Sequence, residues 1–129
     1  MRTAFPIHGT ELSPSFDFAQ RILVVESDRN DEIPRFVCDL PKESMSSRSQ
    51  RLRELRVDVL VCGAVSNPLA GMLHTAGIRL IPWKCGHVGD VLEAYFTGSL
   101  EDARFSMPGH RGQGIPPAGN VAELRRDPL

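Results

Sequence analysis

Apolar residues fall in short runs divided by glycine, proline and polar turns, and the tightest arrangement spans residues 57–97. Val59-Leu-Val-Cys62 has the continuous apolar character of a buried parallel strand, and Gly63 ends it. Asn67-Pro68 then predicts a helix start, with Asn67 as cap and Pro68 in the first turn, where a missing N–H costs nothing. Leu69, Met72, Leu73 and Ala76 follow at helical spacing, and Gly77 sits where a left-handed residue closes a helix. Residues 78–82 predict a second strand. Trp83-Lys84-Cys85-Gly86-His87 reads as a loop. Val88, Val91, Leu92 and Tyr95 form the stripe of a second helix, closed by Gly98.

Upstream, Ala4, Phe5 and Ile7 mark a first strand over residues 2–7, and residues 8–15 carry dense turn signals. Residues 21–26 are the clearest strand, β-branched and apolar. Residues 27–31 are a polar turn leading to a third strand over 33–39. Pro34 cannot donate to a ladder, which puts that strand at a sheet edge. The short turn predicts an antiparallel hairpin, so the sheet is mixed. Ser46 or Ser47 caps a helix reaching about Arg56, with Leu52 and Leu55 inward and Arg48, Arg51, Arg53 and Arg56 over the rest. These arginines read first as a solvated face, and alternatively as a basic patch for an anionic ligand or partner. From Phe105 the sequence becomes rich in glycine and proline without a period. The expected division is a domain over 1–104 and a loosely packed tail over 105–129, with one or two helical turns near 121–126.

A strand–helix–strand connection between parallel strands is right-handed in nearly all proteins. The loops after the two strands of the 57–97 unit therefore emerge on one edge of the sheet, the carboxyl edge where open α/β sheets bind ligands. Cys62-Gly63 starts the first loop, and Lys84, Cys85 and His87 lie in the second. Two helix N-termini that favour anions flank them.

Composition narrows the field. The chain has 129 residues, enough for one domain with a real core, and a net charge of -1, which recruits neither nucleic acid nor an acidic membrane. Three cysteines are an odd count at irregular spacing, and residues 1–7 are too short for a signal peptide. Both predict free thiols in a reducing cytoplasm. No apolar run approaches the ~20 residues of a membrane helix.

Cys85-Gly86-His87 is the most suggestive chemistry, since thiolate and imidazole suit iron, zinc or an iron–sulfur cluster. The alternative is a glycine turn with an exposed histidine and a half-buried thiol. Cys62 joins as a third metal candidate, though small thiols are common in cores. Gly63 and Lys84 complete the expected binding set. Cys38 reads as structural, His74 as a surface residue, and Trp83 as core packing or a lid. His8 reaches the same edge only if strand one is central and parallel. His110 lies in the tail. No nucleophile elbow, zinc-protease motif or phosphate loop is present, so no enzyme is expected.

Val59-Leu-Val-Cys-Gly-Ala-Val65, Thr75-Ala-Gly-Ile78 and Gly86-His-Val-Gly-Asp-Val-Leu-Glu-Ala-Tyr-Phe-Thr-Gly-Ser-Leu100 resemble the dinitrogenase iron–molybdenum cofactor biosynthesis family. That family includes NifX-like and NafY-like carriers and the C-terminal part of some NifB proteins. Thr3-Ala-Phe-Pro-Ile7, Leu12-Ser-Pro-Ser-Phe16 and residues 21–26 resemble its opening strand, loop and strand. The resemblance implies a three-layer α/β fold with a five-stranded mixed sheet, one strand antiparallel, of ribonuclease H-like type without catalytic carboxylates. It implies non-enzymatic binding of an anionic iron–sulfur cluster or iron–molybdenum cofactor precursor for delivery to a protein partner in cofactor assembly. Many members carry His-Phe-Gly-Arg in the first loop, where this chain has Ser15-Phe16-Asp17-Phe18. A module that keeps the fold without the ligand is the alternative function.

Overall fold

The computed structural model describes residues 1–27, 34–40 and 44–108. Strands β1 (Arg2–His8), β2 (Glu11–Leu12), β3 (Arg21–Glu26), β4 (Arg35–Asp39), β5 (Val59–Val61) and β6 (Arg79–Ile81) form one sheet. Its order is β4-β3-β1-β5-β6, with β2 paired to β1 outside that path. β1, β5 and β6 run parallel, while β3 runs antiparallel to both its neighbours, β1 and β4. This is the mixed five-strand path expected, with β3 as its antiparallel strand. The short hairpin strand β2 makes a sixth, because Leu12 and Glu11 fold back on Ile7 and His8.

Helices α1 (Met45–Glu54), α2 (Asn67–Thr75) and α3 (Val88–Thr97) complete three layers. Strand alternation divides the core between the two faces. Ala4, Ile22, Val24, Leu60 and Leu80 pack with Leu52 of α1 and Leu69 and Leu73 of α2. Phe5, Val25, Val59 and Val61 pack on the other face with Val91 and Ala94 of α3. Each fully buried leucine here contributes about 1.5–3 kcal/mol of transfer free energy.

Several boundaries differ from the sequence pattern. Ser66, rather than Asn67, caps α2, its hydroxyl accepting from the Leu69 N–H at 3.4 Å. Ser44, rather than Ser46 or Ser47, caps α1, accepting from the Ser47 N–H at 3.2 Å. In both places several adjacent polar residues could cap, and the pattern does not rank them. α1 ends at Glu54, and Arg56 takes a left-handed φ of 59°. Gly77 and Gly98 do adopt left-handed backbone, at φ 84° and 83°. Beyond the expected boundary at 104, Phe105 is buried against α3's face of the sheet, and the Met107 N–H donates to the Trp83 carbonyl. The expected turn at 28–31, Ile33, His110 and the tail from 109 onward lie outside the described residues.

Candidate functional site

Three loops meet at the carboxyl edge of the parallel strands: residues 9–20 after β1, 62–66 after β5 and 82–87 after β6. Backbone hydrogen bonds join them. The Ala64 N–H donates to the Pro14 carbonyl at 2.8 Å, and the Phe16 N–H to the Ala64 carbonyl at 2.9 Å. The Trp83 N–H donates to Gly63 at 2.9 Å, and the Leu12 N–H to Gly86 at 2.9 Å. Gly63 is required by this closeness, since a Cβ there would lie 2.7 Å from the carbonyl oxygens of Ser13 and Pro14. Trp83 holds φ 64° at the same junction, an unfavourable backbone for a bulky residue that its surroundings must enforce.

The first loop is fastened from below and from the side. Arg48 of α1 is buried, and its guanidinium donates to the carbonyls of Phe16 at 3.2 Å and Ala19 at 2.7 Å. The expected solvated arginine face therefore loses Arg48, which turns inward to satisfy loop carbonyls that water cannot reach. Asp17 accepts from the Ser66 N–H at 2.8 Å and the Ser66 hydroxyl at 2.7 Å. A carboxylate thus already sits at the α2 N-terminus, where the helix dipole and free N–H groups favour an anion. Beside it, Ser15, Asp17, Phe18, Ala64, Val65 and Ser66 line an open cleft, and Phe18 is 81% exposed.

The sequence-derived site residues occupy different depths. Cys62 is fully buried in the core beneath the loops, and burial, reinforced by the Asp17 charge, pushes its thiol far up. Lys84 is 7% exposed, and its ammonium donates to the Leu100 carbonyl at 3.4 Å, so it anchors the chain after α3. Cys85 is half-buried, with its N–H on the Phe105 carbonyl and its Sγ 3.4 Å from the Ser106 carbonyl oxygen. His87 is exposed and serves as the cap of α3, its Nδ1 accepting from the Gly89 N–H at 3.1 Å. Cys85 and His87 are thus the thiol and imidazole that this loop brings near the surface, and His8, exposed at the end of β1, reaches the same edge because β1 is central and parallel to β5. Among the described residues, no three His, Cys, Asp or Glu side chains gather as a metal-binding group.

The histidine cap has a chemical consequence. A neutral imidazole carries one proton, so Nδ1 as acceptor leaves that proton on Nε2. Ligation of a metal through Nε2 requires the proton to move to Nδ1, which ends the bond from Gly89. Binding through His87 therefore competes with the α3 cap, an interaction of about 1 kcal/mol. Asp17, Ser66 and Phe105 are the residues of this edge that the pattern alone does not bring forward, while Arg48, expected on a solvated face or in a patch for an anion, holds loop carbonyls instead. The partial signal for Asp17 is the aspartate standing where family members carry glycine.

A family model described as dinitrogenase iron-molybdenum cofactor matches residues 1–98. Solved structures share the fold. The apo form of the orange protein from Desulfovibrio gigas is 21% identical with a TM-score of 0.64, covering 77% of this chain and 89% of that one. A proposed NifB protein from Thermotoga is 17% identical with a TM-score of 0.64, covering 88% and 98%. A proposed dinitrogenase from Methanocaldococcus jannaschii is 18% identical with a TM-score of 0.63, covering 78% and 91%. No curated protein matches the sequence.

Proposed function

We propose that this chain, which belongs to the dinitrogenase iron–molybdenum cofactor family, binds an iron–sulfur cluster or an iron–molybdenum cofactor precursor as cargo and passes it to a protein partner, without catalysing a reaction. The observation that carries this reading is the pairing of a half-buried thiol, Cys85, with an exposed imidazole, His87, on one loop at the carboxyl edge of the sheet. Thiolate and imidazole are suitable donors to cluster iron. Two donors leave the remaining cluster positions to small thiols or to the receiving protein, which suits a hold that must be released. Cys62 enters the ligand set only if the loop above it opens, because its thiol is sealed in the core and kept protonated there. Gly63 and Lys84 act indirectly, by packing the loops that present Cys85.

A second reading has its own support. Asp17 fills the anion position at the α2 N-terminus, and the Arg48 and Lys84 cations are turned inward. A module that keeps the fold and recognises a protein without any cluster would look like this.

Anaerobic reconstitution with an iron–sulfur cluster donor separates the two. Cargo binding predicts stoichiometric iron and a broad visible charge-transfer band that Cys85→Ala abolishes. His87→Ser, which restores a capping hydroxyl, weakens uptake without unfolding α3. A colourless protein taking up no iron, with Cys85→Ala indistinguishable, sinks the cargo reading. Colourless zinc uptake by the same residues would replace the cluster with a single metal ion.

A further inference from the structure

β4 is an edge strand: it pairs with β3, and among the described residues no strand pairs with its other side. Four of its five residues are exposed, including Phe36 at 40% and Val37 at 47%. The Glu26 N–H bonds the Pro34 carbonyl and the Leu40 N–H bonds the Gln20 carbonyl. In an antiparallel pair these bonds alternate along the strand, so residues 34, 36, 38 and 40 bond inward. The N–H and C=O groups of Arg35, Val37 and Asp39 therefore point outward as a template for pairing, although the Asp39 carbonyl already accepts from the Arg51 guanidinium at 3.3 Å and has one lone pair left for a strand partner.

The sequence of this edge is its own complement. We propose that β4 pairs antiparallel with β4 of a second copy of this chain, about a two-fold axis through Val37. That register sets Arg35 opposite Asp39 of the second copy, Val37 opposite Val37, and Asp39 opposite Arg35. All three are outward-bonding positions, so each pair exchanges both backbone bonds. Phe36 falls opposite Cys38 on the other face. The charge pattern selects this register, since an axis through Arg35 or Asp39 would set like charges opposite each other and shorten the overlap. Such an isologous contact is closed and joins two sheets into one. Because the axis is perpendicular to the sheet, the carboxyl edges of the two copies lie at opposite ends of the joined sheet. Both stay accessible. Five residues a side make a small interface, so association is reversible and concentration-dependent.

Sedimentation equilibrium of the full chain from about 10 µM to about 1 mM tests this, in the range where small interfaces associate. The wild type moves from monomer toward dimer. Arg35→Asp alone and Asp39→Arg alone each weaken dimerisation at least ~10-fold, because each creates two like-charged pairs. Mixed in equal amounts, the two variants dimerise again, since every Arg then faces an Asp. That recovery also shows that both are folded. Val37→Lys stays monomeric alone and in every mixture. A wild type that is monomeric throughout, or a dimer indifferent to the single reversals, overturns the proposal.

Discussion

Asp17→Ala removes the carboxylate that holds the first loop to the start of α2. The two bonds it accepts from Ser66, at 2.8 and 2.7 Å, are charge-assisted. Bonds of that kind contribute about 1.5–3 kcal/mol each when well shielded. Asp17 is only half-buried and water replaces it at Ser66 in the variant, so the two bonds together are worth about 1.5 kcal/mol net. The helix dipole adds about 0.3–1 kcal/mol, also lost with the charge. The expected cost is about 2 kcal/mol. For a folded unit of this size that lowers Tm on the order of 8–16 °C. Asp17→Asn keeps one acceptor and loses the charge, so it falls between wild type and Asp17→Ala. Urea unfolding at neutral pH followed by circular dichroism measures both. A cost for Asp17→Ala under about 0.5 kcal/mol, or equal damage from Asn and Ala, would refute a charged clasp between Asp17 and Ser66. If the cargo reading holds, Asp17→Ala also tightens binding, because the α2 N-terminus then faces the cargo without a resident anion.

Two further predictions concern the same edge. Gly63→Ala brings a methyl to 2.7 Å from two carbonyl oxygens, and should cost about 1–3 kcal/mol in urea unfolding by forcing the first loop off β5. The Cys62 thiol, raised by burial, stays protonated in the folded chain while an unfolded thiol ionises near pH 9. Above about pH 9 the unfolded state therefore holds fewer protons, and stability falls as pH rises further. Cys62→Ala should flatten that slope, and native alkylation at pH 8 should spare Cys62 while Cys85 reacts.

Much of the fold is legible in the chain because it rests on local signals. The apolar run 59–62, the stripe Leu69, Met72, Leu73, Ala76, and the glycines at 77 and 98 each encode their element within a few residues. The right-handed crossover then brings Cys62 and Cys85 to one sheet edge. What the sequence does not display is depth and long-range pairing. Arg48 shares a helix with half-buried Arg51 and exposed Arg53, and only the loop folded over it decides that it turns inward. Asp17 and Ser66 are 49 residues apart, so their bond has no local signature. Lys84 sits beside Cys85 in sequence, yet its ammonium reaches the Leu100 carbonyl. His87 looks the same whether it caps a helix or ligates a metal; the Gly89 N–H decides its resting role. The Gly/Pro-rich stretch beginning at Phe105 conceals a core residue, because one buried ring needs no periodic pattern.

The most direct test of cluster binding at this edge is residue-resolved. Amide spectra of nitrogen-15-labelled protein are recorded anaerobically while an iron–sulfur cluster is delivered. Cluster binding at this loop gives paramagnetic broadening centred on Cys85, Gly86, His87 and Gly89, with the Gly89 amide shifting as its bond to the imidazole is lost. Broadening that spares 84–89 and centres elsewhere, or a spectrum unchanged by the cluster, contradicts it.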